Sequence, residues 1–274
     1  MNKLLETWLA KWNAWNITPG MQWFVGGVYL WHAWNMLMLW PHYELIWGNH
    51  SVFQRLGNMD GLLNNVVYHL VYTKRWATLV FHGHWLLSLV AIFRFRGVWI
   101  ARAVVWITGL MLFFSASDVF NSGMMIMNLM SFYLIFYDHK KGNAAWNNKV
   151  VYLLCLAQVI IVYGVSAMYK LRGEQWLDGD ILFFVLQTPH FVAPSIRDSG
   201  LINSNTALAA LSYFALAYQL LFPLLVFLRR GTWIWLGIGV VFHISIALFM
   251  HLYDFGLAMI VCYALFIPHK RLNA

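Results

Sequence analysis

The sequence predicts an all-α bundle of helices that crosses a membrane many times, and three observations carry that expectation. Apolar residues fill 61% of the 274 positions and charged ones only 10%, a ratio that a water-soluble domain of this size could not hide below its surface. The apolar residues come in long unbroken runs separated by short polar clusters, unlike the short alternating strands of a β-barrel. The chain also carries 16 Trp and 13 Tyr, the amphipathic rings that settle where hydrocarbon meets headgroups.

Taken in order, residues 1–19 place Leu4, Leu5, Trp8, Leu9, Trp12 and Trp15 at helical spacing with Lys3, Glu6 and Lys11 between them. That pattern predicts a helix lying in the headgroup plane rather than a cleavable signal. Eight spans follow at 20–40, 76–93, 98–117, 123–137, 150–170, 206–228, 232–250 and 255–268, the fourth and eighth being short. Two longer segments, 41–75 and 171–205, join spans on the same side, and each holds apolar stretches such as Val66–Val71 and Ile181–Leu186 that predict further helices at the interface. No inverted repeat, low-complexity tract or linker interrupts the pattern, so residues 1–274 read as one transmembrane domain.

Basic residues orient the bundle, because Lys and Arg of short loops accumulate on the cytoplasmic side. With eight spans and a cytoplasmic N-terminus, the 18 Lys and Arg divide into twelve inside and six outside. Both termini are then cytoplasmic, and the long segments face out. The acidic residues lean outward, among them Glu44, Asp118, Glu174, Asp178 and Asp254. The formal charge of +8 therefore orients a membrane protein, with lipids as its neighbours, and forms no basic face of the kind that binds nucleic acid.

Chemistry concentrates at the end of the fifth span. Tyr163, Ser166 and Lys170 lie three, four and seven residues apart, which sets them on one stripe of a helix ending at the outer boundary. An amine held where water is scarce loses the hydration that favours its charge, and its neutral form becomes accessible as a base. Elsewhere the pattern is less telling. His82 and His84 are two apart and project to opposite sides of a helix, so they do not share a metal. His243 and His251 are eight apart and share a broad helical face, with Asp254 turned to the side of His243. His32, Asn35, His84 and Asn128 read as interhelical hydrogen-bonding groups. Cys155 and Cys262 each lie inside an apolar run without metal-ligand spacing, and no HExxH or comparable set predicts a metal site. A transporter or channel is disfavoured, since no charge falls at mid-span and no pair of matching broken helices is present.

The string Gln158, Tyr163, Lys170-Leu171, Gly173, Trp176 and Gly179 resembles the signature of the HTTM family, which includes the membrane part of vitamin K-dependent γ-carboxylase and many short stand-alone bacterial proteins. Phe120-Asn121-Ser122-Gly123 with Phe132 and Asp138 is similar to that family's fourth-span entry, and Phe222-Pro223, Arg229-Arg230, His243 and Phe255 are similar to its closing spans. Here one extra residue separates the Lys-Leu pair from the Trp, Gly123 stands where the carboxylase has a histidine, Gln219 stands where many members have an acid, and the carboxylase's extramembrane domain has no counterpart.

The resemblance implies a γ-carboxylase-like activity at an outer-leaflet cavity, in a protein of the bacterial cytoplasmic membrane. Lys170 would be the base acting on a reduced, vitamin K-like quinone, with His243 as second catalytic residue. Tyr163, Ser166, Trp176, Asp118, Asn121 and Asp254 would surround the substrate or cofactor, a quinone-like molecule or a secreted peptide. The alternative it implies is a non-catalytic accessory protein that helps mature, export or protect a secreted peptide beside a neighbouring membrane subunit.

Overall fold

The structure, a computed structural model, describes residues 17–47, 74–116, 119–141, 145–188, 192–197, 199–200, 203–228 and 231–267. Among them the regular structure is entirely helical. The helices are α1 (Gly20–Leu39), α2 (Tyr43–Trp47), α3 (Lys74–Ile92), α4 (Val98–Ser115), α5 (Ser122–Leu134), α6 (Trp146–Lys170), α7 (Glu174–Leu177), α8 (Ile181–Gln187), α9 (Pro194–Arg197), α10 (Asn205–Leu225), α11 (Thr232–Phe249) and α12 (Tyr253–Tyr263). A helix stands at each of the eight expected positions, and four of them, α4, α6, α10 and α11, are long and apolar enough to cross a membrane by length and composition. Segments Trp76–Ile92, Ser122–Leu134 and Tyr253–Phe266 are shorter apolar helices. The expected interfacial helix at the N-terminus and most of segment 41–75 lie outside the described residues.

Helix boundaries follow local chemistry. Asn121 is extended and its side chain accepts the Gly123 amide, which caps α5. Ser204 does the same for the Ala207 amide at the start of α10. Gly97 takes φ +89° just before α4, a left-handed conformation that glycine adopts without a Cβ penalty. Between α11 and α12, His251 itself sits at φ 55°. The two helices are therefore separate, and the continuous face expected to carry His243, His251 and Asp254 does not form.

The long helices bury only a narrow seam. On α11 the buried positions are Thr232, Leu236, Gly239, His243 and Ala247, one stripe at helical spacing. The opposite side is also apolar: Ile234 and Val241 are 69% and 66% exposed. A surface of that kind is stable against hydrocarbon and not against water.

The chain forms two compact units. In the first, Gln22–Val151, α4 packs against α3 and α5. Its Arg102 is wholly buried and donates to the Leu134 and Tyr137 carbonyls at 3.0 and 2.9 Å, which satisfies the end of α5. In the second, Thr18–Met21 and Tyr152–Ala274, α11 packs on α12, and α10 on α7, α8 and α11. Leu186, Val192, Ala193 and Ile196 of segment 171–205 form an apolar cluster with Leu208 of α10. The Leu265 carbonyl accepts from both Thr18 Oγ1 and Tyr152, at 3.0 and 2.9 Å.

Candidate functional site

The stripe on α6 is built as its spacing predicts. Lys170 Nζ donates to Ser166 Oγ at 3.0 Å, one turn back, and Ser166 donates in turn to Gln219 Oε1 of α10 at 3.0 Å. Beyond the helix the chain turns, and Trp176 of α7 brings its ring under the amine, with Nζ 4.6 Å from the ring centroid. Tyr213 of α10 fixes this turn by donating to the Leu177 carbonyl at 2.8 Å. Gly179 at φ +83° has the Tyr213 ring and Ala209 where a Cβ would stand. Lys170 and Ser166 are half-buried. Among the described residues no carboxylate lies within ion-pair distance of Lys170 Nζ, so neutral groups alone hold the amine.

Deeper along the stripe, Tyr163 enters a second network. Its hydroxyl is 2.7 Å from His243 Nε2 and 2.5 Å from the Tyr263 hydroxyl, and Tyr263 is 2.9 Å from the Tyr218 hydroxyl. Tyr218 donates to the Trp235 carbonyl at 3.5 Å. The imidazole and the three hydroxyls thus form one connected chain, and His243 Nδ1 is buried with no hydrogen-bond partner among the described residues. Phe222 stacks on Tyr163 at 4.0 Å, and Trp235 on Tyr218 at 4.9 Å. Gly239 makes room, because a Cβ there would run into the hydroxyls of Tyr218 and Tyr263.

The structure thus brings Lys170, Ser166 and Trp176 together in one place and Tyr163 with His243 in another. Asp254 is half-buried in the first turn of α12. Asn121 caps α5 in the other unit, a local structural role. Asp118 lies outside the described residues. Sequence reasoning missed Gln219 as a partner of Ser166, and it missed Tyr218 and Tyr263 entirely. The available signal was Gly239, four residues before His243 on the buried seam of α11, which marks where another helix inserts a side chain.

The first unit has its own polar interior. His84 Nδ1 is 2.8 Å from Thr108 Oγ1, and His84 Nε2 is 3.3 Å from His32 Nδ1. Asn35 reaches Met124 Sδ at 3.8 Å. Asn128 departs from its expected interhelical hydrogen bond: among the described residues its buried amide has no partner for either polar atom, and its oxygen lies against Gly109. Among the described residues no three His, Cys, Asp or Glu side chains gather as metal ligands. Cys155 and Cys262 are buried thiols.

Comparison with protein families, curated proteins and solved structures finds no match for this chain.

Proposed function

We propose that this is an integral membrane protein whose eight apolar helices all cross the bilayer with both termini cytoplasmic, and that the Lys170 end of α6 is a base site for a quinone-like or peptide substrate, as in the HTTM family. The reading rests on one observation: an amine held by a hydroxyl and an indole face, with no carboxylate within ion-pair distance among the described residues. Positions held this way serve proton transfer better than anchoring, which needs only a lysine reaching the headgroups.

The residues fit a reduced quinone. When bound, that group supplies an acidic hydroxyl on a planar ring. Lys170 would take the hydroxyl proton, Trp176 would hold the ring by its face, and Ser166 with Gln219 would fix the amine.

The test uses full-length protein in nanodiscs with vitamin K hydroquinone, oxygen, bicarbonate and a glutamyl peptide, reading quinone epoxide and peptide carboxylation. Turnover is expected, and it should vanish in Lys170→Ala and in Lys170→Arg, because arginine keeps the charge but does not become a neutral base. Full turnover in Lys170→Arg overturns the base role. Absence of turnover, with a secreted peptide or a neighbouring membrane subunit bound equally well by wild type and Lys170→Ala, assigns the accessory role instead.

A further inference from the structure

The first unit contains a cavity of about 700 Å³ whose walls come from the turn between α3 and α4 and from the connection between α5 and α6. The lining residues adjoin four helix ends, those at Ile92, Val98, Leu134 and Trp146. Two chemistries line it. Arg94, Arg96 and Lys140 face a single carboxylate, Asp138, so the charged lining sums to two positive charges, three less one. Beside them stand the rings of Phe95, Trp99 and Phe136, 44%, 56% and 58% exposed.

The one carboxylate is already committed to its own loop. Asp138 Oδ1 accepts the Lys140 amide at 3.0 Å, and Oδ2 lies 4.0 Å from Lys141 Nζ. Arg94 is tied only to a neutral group, Gln22 Oε1 at 2.7 Å, and Arg96 has no hydrogen-bond or ion-pair partner among the described residues. The wall behind them is rigid. Asn148 both accepts from the Asp138 amide and donates to its carbonyl, at 2.8 and 2.7 Å, and Asn147 donates to the Phe136 carbonyl at 3.1 Å.

Two features remove what would repel an anion. The last carbonyls of α5 carry the negative end of the helix dipole, and Arg102 covers them from inside. His139 accepts from Arg102. Burial, with Arg102 and Arg94 nearby, pulls its imidazole down to about 4, so it stays neutral near pH 7 and leaves the arginines as the charges a ligand meets.

We infer that this cavity binds the phosphate of an anionic phospholipid, with Arg94 and Arg96 on the phosphate, Lys140 at the rim, and the acyl chains along Trp99 and Phe136. Cations alone would suit any phosphate. The exposed rings beside them select an amphiphile, because a soluble anion gains nothing from apolar walls while a phospholipid places its glycerol and first methylenes there. The position at a common end of four apolar helices puts both parts at the depth where headgroup and hydrocarbon meet.

The experiment is native mass spectrometry of the detergent-purified full chain, titrated in separate arms with phosphatidylglycerol, phosphatidylcholine and inorganic phosphate. Phosphatidylglycerol should be retained in preference to phosphatidylcholine, and inorganic phosphate should neither be retained nor strip the lipid. Retention should fall roughly fivefold for each arginine removed, in Arg96→Gln and again in Arg94→Gln/Arg96→Gln. Equal retention of the two lipids overturns the inference, as does unchanged retention in a folded Arg96→Gln. Retention of inorganic phosphate with loss of the lipid overturns the lipid as occupant. Arg96 is exposed and has no partner among the described residues, so its variant reports even where the double variant does not fold.

Discussion

Both units bury a histidine at the head of a chain of donors, and the two chains differ in what holds them. In the first, Thr108 donates to the Val104 carbonyl at 2.7 Å, so it accepts from His84 Nδ1, and His84 Nε2 accepts from His32 Nδ1. His32 Nε2 is buried with no hydrogen-bond partner among the described residues. In the second, His243, Tyr163, Tyr263 and Tyr218 are joined in sequence up to the Trp235 carbonyl, and His243 Nδ1 is in the same condition among the described residues. The first chain links α1, α3 and α4 and ends in a bond within α4, whereas the second links α6, α10, α11 and α12 and ends at a carbonyl of α11. A glycine clears space in each, Gly109 in one and Gly239 in the other. The lesson is that a polar chain through four helices with shorter contacts constrains more of the tertiary structure than one through three with a 3.3 Å link.

The sharpest way to break this contrast is to fill the two glycines. At Gly239 a Cβ meets atoms of two tyrosine rings that are themselves packed, Tyr263 being 5.7 Å from Phe222 and Tyr218 4.9 Å from Trp235. Gly239→Ala should cost about 3 kcal/mol, the upper range for overpacking. At Gly109 the nearest atom belongs to Asn128, a short side chain with no hydrogen bond among the described residues, and His84 Cε1 is 3.2 Å from where the Cβ would lie. Gly109→Ala should cost about 1 kcal/mol. Unfolding in mixed micelles followed by tryptophan fluorescence reads both, and equal losses would remove the distinction.

Next in size is the deletion of one hydroxyl from each chain. Tyr263→Phe interrupts the second network at its centre and removes the bonds to both Tyr163 and Tyr218, for an expected loss of about 1–2 kcal/mol. Thr108→Val leaves the Val104 carbonyl in its helix and strands only His84 Nδ1, for about 1 kcal/mol or less. A Thr108→Val loss above that of Tyr263→Phe would reverse the ranking of the two interiors.

How much of this was legible in the sequence follows the same division. Helices were legible because apolar run length is a property of one segment: 98–117 and 232–250 became Val98–Ser115 and Thr232–Phe249. The Lys170–Ser166 contact was legible for the same reason, being one turn of one helix. The shared face of His243 and His251 failed because periodicity presupposes an unbroken helix, and the chain turns at His251. Gln219, Tyr218 and Tyr263 were illegible because which faces meet is decided by packing, for which Gly239 and Gly256 were the only local marks. Gly256 lets α12 approach the His243 carbonyl, 2.6 Å from where its Cβ would lie.

A histidine outside both interiors sharpens the comparison further, since it meets water at its rim. His139 falls to about 4 through burial and the charges of Arg102 and Arg94, against 6.5 when unfolded. Between those values the unfolded chain binds the extra proton, so stability should be level above pH 6.5, decline as pH falls, and level again below about 4. The difference in Tm between wild type and His139→Gln, followed from pH 7.5 to 4, isolates this group from the carboxylates. A constant difference would mean that His139 is as hydrated folded as unfolded.

The smallest effect belongs to the Lys170 stripe, and it tests whether that stripe is a unit like the tyrosine chain or a string of separate contacts. Ser166 is half-buried and its two bonds are each 3.0 Å, one from Lys170 and one to Gln219. Ser166→Ala and Gln219→Leu should each cost under about 1 kcal/mol. Both remove the same Ser166–Gln219 bond, so the double variant should lose less than the sum of the singles. Strict additivity would show that Gln219 is held by other contacts and that α10 does not position the amine. Coupling here together with larger coupling between Tyr163→Phe and Tyr263→Phe would place both networks on one scale, with the buried chain contributing more to the fold than the shallower one.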